Sequence, residues 1–214
     1  MIYCLKKKKK KGVQVKSKIT VALFVALILS ACVSPRPAMK EFTLDTNTSV
    51  TPNAAKGCKE KTLKIAKLFT DPSLVAHDIR YRKGNLQEFR YSQSQWADSP
   101  ANMIYKSEVA LVRSLKLFKS VQVANSKTKN DLILETNVDD FRQYYDAKVT
   151  SSYARVAITF TLVNTQTHEV VKTKTFVSEK ETPSLDAKGG VIALNAALSE
   201  VLQNAGKWLQ EVCQ

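Results

Sequence analysis

Apolar and polar residues alternate strictly through Tyr153 to Asn164, where Ala154, Val156, Ile158, Phe160 and Leu162 are interleaved with Arg155, Ala157, Thr159 and Thr161. A period of two marks a strand with one buried face and one more polar face. Leu132 to Phe141 and Val170 to Glu179 read as two further long strands. Lys61 to Phe69 has the pattern of a first strand, closed by turn chemistry at Asp71-Pro72-Ser73. Ile79 to Arg82 and Leu86 to Tyr91 flank Gly84-Asn85 as a hairpin, and Val121 to Val123 reads as a short strand. Between Pro100 and Phe118 the period changes. Ile104, Leu111, Leu115 and Phe118 share one helical face, and Pro100 suits a first helical turn. A second helix is expected from Ala187 to Glu211, because Val191, Leu194, Leu198, Val201, Ala205, Trp208 and Val212 recur at steps of three and four. That stripe suits packing on the sheet; the sharper alternative is a helix that also offers apolar surface to a partner or a lipid.

The N-terminus follows another logic. Lysines at Lys6 to Lys11, Lys16 and Lys18 precede an apolar run from Ile19 to Leu29. Eleven residues fall short of the roughly 20 that span a bilayer as a helix, and they suit the core of a signal peptide. Leu29-Ser30-Ala31-Cys32 follows at once, and it resembles the lipobox of bacterial lipoproteins, in which cleavage precedes the cysteine and its thiol takes diacylglycerol. Residues 1–31 are therefore expected to be a lipoprotein signal peptide and Cys32 an acylated anchor, with acyl chains such as palmitate. A plain secretory signal or an uncleaved anchor is the alternative. Val33 stands where the familiar inner-membrane retention signal has aspartate, which favours the outer membrane, facing the periplasm. Residues 32–57, with Pro35, Pro37 and Pro52, read as the acylated cysteine and a flexible tether, with one short strand near Glu41 to Leu44. Residues 58–214 read as one domain.

Charge and cysteine content change meaning once this leader is set aside. Thirty-three basic and nineteen acidic residues give +14, but eight of the lysines and none of the acids lie in residues 1–31. The remainder carries twenty-five basic residues against nineteen acids, an ordinary surface balance rather than the footprint of a nucleic-acid binder. Cys4 leaves with the signal and Cys32 is acylated, which leaves Cys58 and Cys213. An even pair in an oxidising compartment points to one bridge from the start of the domain to the end of its last helix. In the loop-entropy account such a closure contributes up to roughly 5 kcal/mol. Two unpaired thiols are the alternative.

Candidate chemistry is sparse. The only histidines, His77 and His168, exclude a multi-histidine metal site. Asp139-Asp140 invites a paired-carboxylate reading, yet strand neighbours point to opposite faces, so the two are not expected to share a substrate. Gly189-Gly190 lacks the spacing of a phosphate loop and reads as a loose first helical turn. Arg80, Arg82, Lys83, Arg90 and Arg113 form a candidate basic patch for anionic headgroups or an acidic partner. Trp96 reads as an apolar plug fixing how the first helix enters the domain. No residue set argues for an enzyme, and no cofactor is expected apart from the lipid on Cys32.

In its ordered set of short motifs the chain resembles the ABC-type transport auxiliary lipoproteins, partners of MCE-domain lipid transporters. The resemblance rests on the lipobox at Cys32, Phe42-Thr43-Leu44, and the Tyr-Arg hairpin leading to Gln95-Trp96-Ala97-Asp98-Ser99-Pro100. It continues through Leu115 to Val121, Asp131 to Leu134, the helix start at Asp186-Ala187-Lys188-Gly189 and its end at Lys207-Trp208-Leu209. Tyr91, Trp96, Pro100, Phe118 and Trp208 are its structural positions. The resemblance implies an α/β domain of the α+β type, with two main helices packed on one mostly antiparallel sheet. It implies a non-catalytic function: docking to an MCE-domain protein and an ABC permease and ATPase to help move phospholipids or related hydrophobic molecules between membranes. Phospholipid contact and homo-oligomer formation stay open. An outer-membrane assembly or structural lipoprotein unrelated to MCE transport is the alternative.

Overall fold

The computed structural model describes residues 38–51, 57–84 and 86–214. The expected signal peptide and Cys32 lie outside these residues. Nine strands form one sheet: β1 (Lys40–Phe42), β2 (Thr62–Ile65), β3 (Phe69–Thr70), β4 (Asp78–Lys83), β5 (Gln87–Trp96), β6 (Ser120–Gln122), β7 (Leu132–Tyr145), β8 (Ser152–Asn164) and β9 (Val170–Glu181). Two helices, α1 (Pro100–Ser114) and α2 (Ala187–Val212), complete the α+β domain.

Strand β7 is the spine. One of its edges pairs with β8 along its whole length, and β8 pairs with β9, both antiparallel. Its other edge receives β2, β3 and β4 one after another, all parallel to it, so the chain from Thr62 to Lys83 runs alongside β7 in three segments. The longest ladders are antiparallel as expected, but the short strands make the sheet mixed: β1 on β5 and β6 on β2 are parallel too. The single strand expected over Lys61 to Phe69 is therefore two, interrupted where Ala66 N–H donates to Leu134 O.

Local chemistry sets both helix starts. Ser99 caps α1 by accepting from the Asn102 N–H, with Pro100 in the first turn, where its missing N–H costs nothing. The helix stops at Ser114, four residues short of Phe118, because Lys116 adopts a left-handed φ of 52° and turns the chain. Phe118 is still buried, reached through the turn rather than the helix. Asp186 caps α2 by accepting from the Gly189 N–H, and its bonds from Ser184 and Gly189 hold its carboxyl below the usual range. The glycines of this turn are tightly packed, not loose. A Cβ at Gly189 would stand 2.1 Å from Ser184 O, and one at Gly190 would stand 2.1 Å from Gln143 Oε1.

α2 lies across β7, β8 and β9 and touches α1, burying its stripe against the face of β8 that carries Ala154, Val156, Ile158, Phe160 and Leu162. Each large side chain buried there contributes about 1.5–3 kcal/mol. Trp208 sits edge-on to Phe176, and Trp96 packs on Phe141; both indoles are fully buried. Cys58 and Cys213 are bonded with Cα atoms 5.2 Å apart, which fastens the end of the helix layer to the segment entering β2.

The stretch expected as a tether is laid onto the domain between Lys40 and Thr51. β1 pairs with Ser94–Trp96 of β5, and the chain then follows α2. Asp45 N–H donates to Asn195, Asn47 N–H to Ser199, and Gln203 and Gln210 donate to the carbonyls of Asn47 and Thr51. Val50 covers Gly206, where a Cβ would approach it to 3.2 Å.

Candidate functional site

Both helices lie on one face of the sheet, so the other face of β5, β4, β7, β8 and β9 is open. Its residues form a chain of alternating charge: Arg90, Asp78, Arg80, Glu88, Arg142, Asp140, Arg155, Glu179. Arg142 joins the two halves, with Nη1 2.7 Å from Glu88 and Nε 3.0 Å from Asp140 Oδ1, the latter a charge contact rather than an aligned hydrogen bond. Arg155 bridges Asp140 at 3.3 Å and Glu179 at 3.1 Å, and Arg80 reaches Glu88 at 3.1 Å. Arg80 and Arg90 stand 3.8 Å from Asp78. The centre is the buried part: the side chains of Arg142 and Asp140 are 10% and 8% exposed, against 73% for Arg90.

Tyr144 donates to Asp140 at 2.6 Å and stacks on Tyr153, with ring centroids 5.2 Å apart. Burial, followed by that carboxylate partner, pushes its hydroxyl up to about 12. A shallow groove of about 550 Å³ runs beside this centre, lined by Arg82, Asp139, Tyr144, Thr159 and Thr175.

Two expectations change here. Asp139 and Asp140 do share a face, because a β-bulge between Val138 and Asp140 resets the alternation on β7. They are nevertheless committed separately, Asp139 to Thr159 and Asn137, and Asp140 to Arg142, Arg155 and Tyr144. The basic patch also dissolves. Arg80, Arg82 and Arg90 are paired with Asp78 and Glu88, Lys83 forms no ion pair among the described residues, and Arg113 lies on α1 instead, donating to Val121 O.

The family-motif positions are engaged in packing, hydrogen bonds or a helix start. Tyr91 donates to Gln143 at 2.8 Å and lies 2.6 Å from the Tyr145 hydroxyl, while Gln143 donates to Ser152, forming a polar knot beneath the first turn of α2. Trp96, Phe118 and Trp208 are buried, and Pro100 opens α1. Periodicity gave no sign of Glu108, a helix residue turned toward the sheet. It accepts from Thr136 at 2.7 Å, its second oxygen has no partner among the described residues, and burial pushes its carboxyl up to about 8. A second cleft of about 580 Å³ opens at the start of α1 between Leu68, Val75, His77, Asn102 and Tyr105, whose hydroxyl already accepts from the Ala124 N–H. Among the described residues no three His, Cys, Asp or Glu side chains converge to hold a metal ion, and no helix is long and apolar enough to cross a membrane.

The open face thus offers fixed charges of both signs in a set order. Residues 42–205 match the family described as the ABC-type transport auxiliary lipoprotein component. The chain belongs to this family. No curated protein matches it. Among solved structures, a Xanthomonas campestris protein of family DUF330 is similar at a TM-score of 0.70 and 20% identity, covering 81% of this chain and 96% of that one. A second crystallised protein, described only as uncharacterized, is similar at 0.60 and 13%, covering 80% of this chain and 99% of that one. At these identities the likeness is one of fold. The matched region of this auxiliary lipoprotein begins at Phe42, within β1, so the strap along α2 is part of the family domain.

Proposed function

We propose that this chain is a membrane-anchored periplasmic accessory lipoprotein of an ABC/MCE-type lipid transport system. Cys32 carries diacylglycerol, sorted to the outer membrane, and the domain docks to the MCE-domain protein and its permease and ATPase without catalysing a reaction itself. The family match over residues 42–205 carries the reading. The open sheet face supports it with alternating charges fixed by a part-buried centre, a pattern that sets partner and register more than raw affinity.

The test is affinity purification of the tagged protein from gently solubilised envelopes, with co-purifying proteins and lipids identified by mass spectrometry. Recovery of an MCE protein with its ATPase and permease is the expected outcome. Paired reversals at the exposed rim, Arg90→Glu and Glu179→Lys, reduce that recovery while thermal unfolding stays unchanged. Recovery of the acylated protein alone, from membranes in which the transporter remains assembled, assigns the chain instead to envelope assembly or structure.

A further inference from the structure

The two ends of the sheet have different turns. At one end the loops are Ala124 to Asp131 and Thr165 to Glu169, and beyond Ala124 every residue in them is polar or charged. At the other end lie the β4–β5 turn, the β7–β8 turn and the loop from β9 into α2. They stand side by side: Lys83 pairs with Tyr145, Gly84 N–H donates to Tyr145 O, Tyr145 pairs with Ser152, and Thr182 N–H donates to Ser152 O.

Each of these three loops presents one large apolar side chain to solvent, Leu86 at 96% exposure, Val149 at 38% and Leu185 at 46%. Turn positions favour Gly, Asn, Asp and Ser, so three apolar tips in one row need a reason. Val149 sharpens the point. Its φ is 58°, a left-handed conformation that a β-branched residue adopts only with strain, at a tip where Gly or Asn would sit without it. Two carboxylates of this end are turned into their own loops, Asp146 onto Thr150 and Ser151 and Asp186 onto Gly189, while Glu181 at the end of β9 is exposed. Lys148 and Lys188 are exposed and form no ion pair among the described residues.

The direction of the chain says what meets this end. β1 is parallel to β5, and β5 runs away from the β4–β5 turn, so the N-terminal end of β1 faces the end of the sheet that carries the apolar tips. Six peptide steps separate Ala38 from Cys32, at most about 20 Å when extended. A leash of that length keeps the nearer end of the domain at high effective concentration beside whatever holds the cysteine.

We propose that this end of the domain seats on the bilayer, with Leu86, Val149 and Leu185 entering the boundary between headgroups and acyl chains and Lys148 and Lys188 lying among the phosphates. The inference rests on the reading of Cys32 as the lipid anchor. Seating sets the long axis of the sheet along the bilayer normal and turns the disulfide end of α2, with the polar turns, toward the periplasm.

The test uses the full acylated protein in vesicles of phosphatidylethanolamine and phosphatidylglycerol containing lipids brominated on their acyl chains. Leu86→Trp and Leu185→Trp each add an indole at a tip, and Val170→Trp adds one at the opposite end, where Val170 is 59% exposed; Trp96 and Trp208 are buried and give a common background. Fluorescence at the two tips is expected to fall about twofold relative to unbrominated vesicles, while that of Val170→Trp stays unchanged. Equal quenching at both ends, or none at the tips in protein that floats with the vesicles, overturns the proposal and leaves the tips to a protein partner. Flotation of Cys32→Ser reads the anchor separately. If that variant floats like the wild type and the tips are still quenched, the seating stands and the anchor reading fails; if the wild-type chain does not float, both fail.

Discussion

The two faces of the sheet are made by alternate residues of the same strands, yet they tolerate charge by opposite means. On the covered face α1 and α2 exclude water, and polar side chains there are mostly given a dedicated partner, Gln143 with Tyr91 and Ser152 and Thr136 with Glu108, while Glu108 Oε2 and Trp208 Nε1 have none among the described residues. On the open face charge is the rule, and each group is balanced by its neighbours in a chain whose ends are solvated and whose centre is part-buried. The covered face therefore carries the stability. The open face carries the solvent-accessible charge.

The largest contrast is expected from truncating the covered face. Trp208 is buried between α2 and the sheet, and Trp208→Ala removes its contact with Phe176 and leaves a cavity. A loss of about 3–5 kcal/mol is expected in denaturant unfolding. A loss below about 1 kcal/mol would mean that α2 is not held by this face and that the division of labour is wrong.

Glu108 tests the same face through pH. Burial raises its folded-state carboxyl to about 8, well above the ordinary carboxylate range of the unfolded chain, with the Thr136 hydrogen bond pulling weakly the other way. The native state therefore keeps a proton that the unfolded state has released. The stabilisation is fully present below about pH 4 and is lost as pH rises to about 8 and beyond. The melting temperature of the wild type should fall between pH 5 and 9, and Glu108→Gln, which keeps the bond to Thr136 and carries no proton to lose, should flatten that slope. A slope unchanged by the substitution would show that water reaches the carboxyl.

Parts of this architecture were legible in the residue pattern because they depend on local period. β8 and α2 announce themselves through alternation and through the stripe from Val191 to Val212, and their burial follows. What was not legible depends on contacts between distant segments. The laying of β2, β3 and β4 along one edge of β7 leaves no periodic trace. The close approach of Gln143 to Gly190 is likewise invisible along the chain, so the glycine pair reads as loose. Asp139-Asp140 shows the limit most directly: alternation assigns them to opposite faces, and one bulge puts both on the open one.

That bulge supplies a smaller test within the open face itself. Asp140 is part-buried between Arg142 and Arg155, whereas Asp139 is exposed and bonded to Thr159. Asp140→Ala strands the buried Arg142 charge on one side, and a cost of about 1–3 kcal/mol is expected. Asp139→Ala should stay within about 0.5 kcal/mol. Equal costs would mean that a place in the charge chain adds nothing and that the open face is an ordinary solvated surface.

The smallest effect is expected at the ladder's end, and it is the most informative about function. Arg90 is 73% exposed and 3.8 Å from Asp78, so Arg90→Ala should change stability by no more than about 0.5 kcal/mol, less still at high salt. A double-mutant cycle with Asp78→Ala should give a coupling energy near zero in the isolated protein. The same pair, measured by co-purification with partner subunits, should lose recovery well beyond any change in folding, because a rim charge that contributes little to folding remains available for encounter. If stability and recovery fell together, the ladder would be a structural brace, and the partner surface would have to be sought elsewhere on the domain.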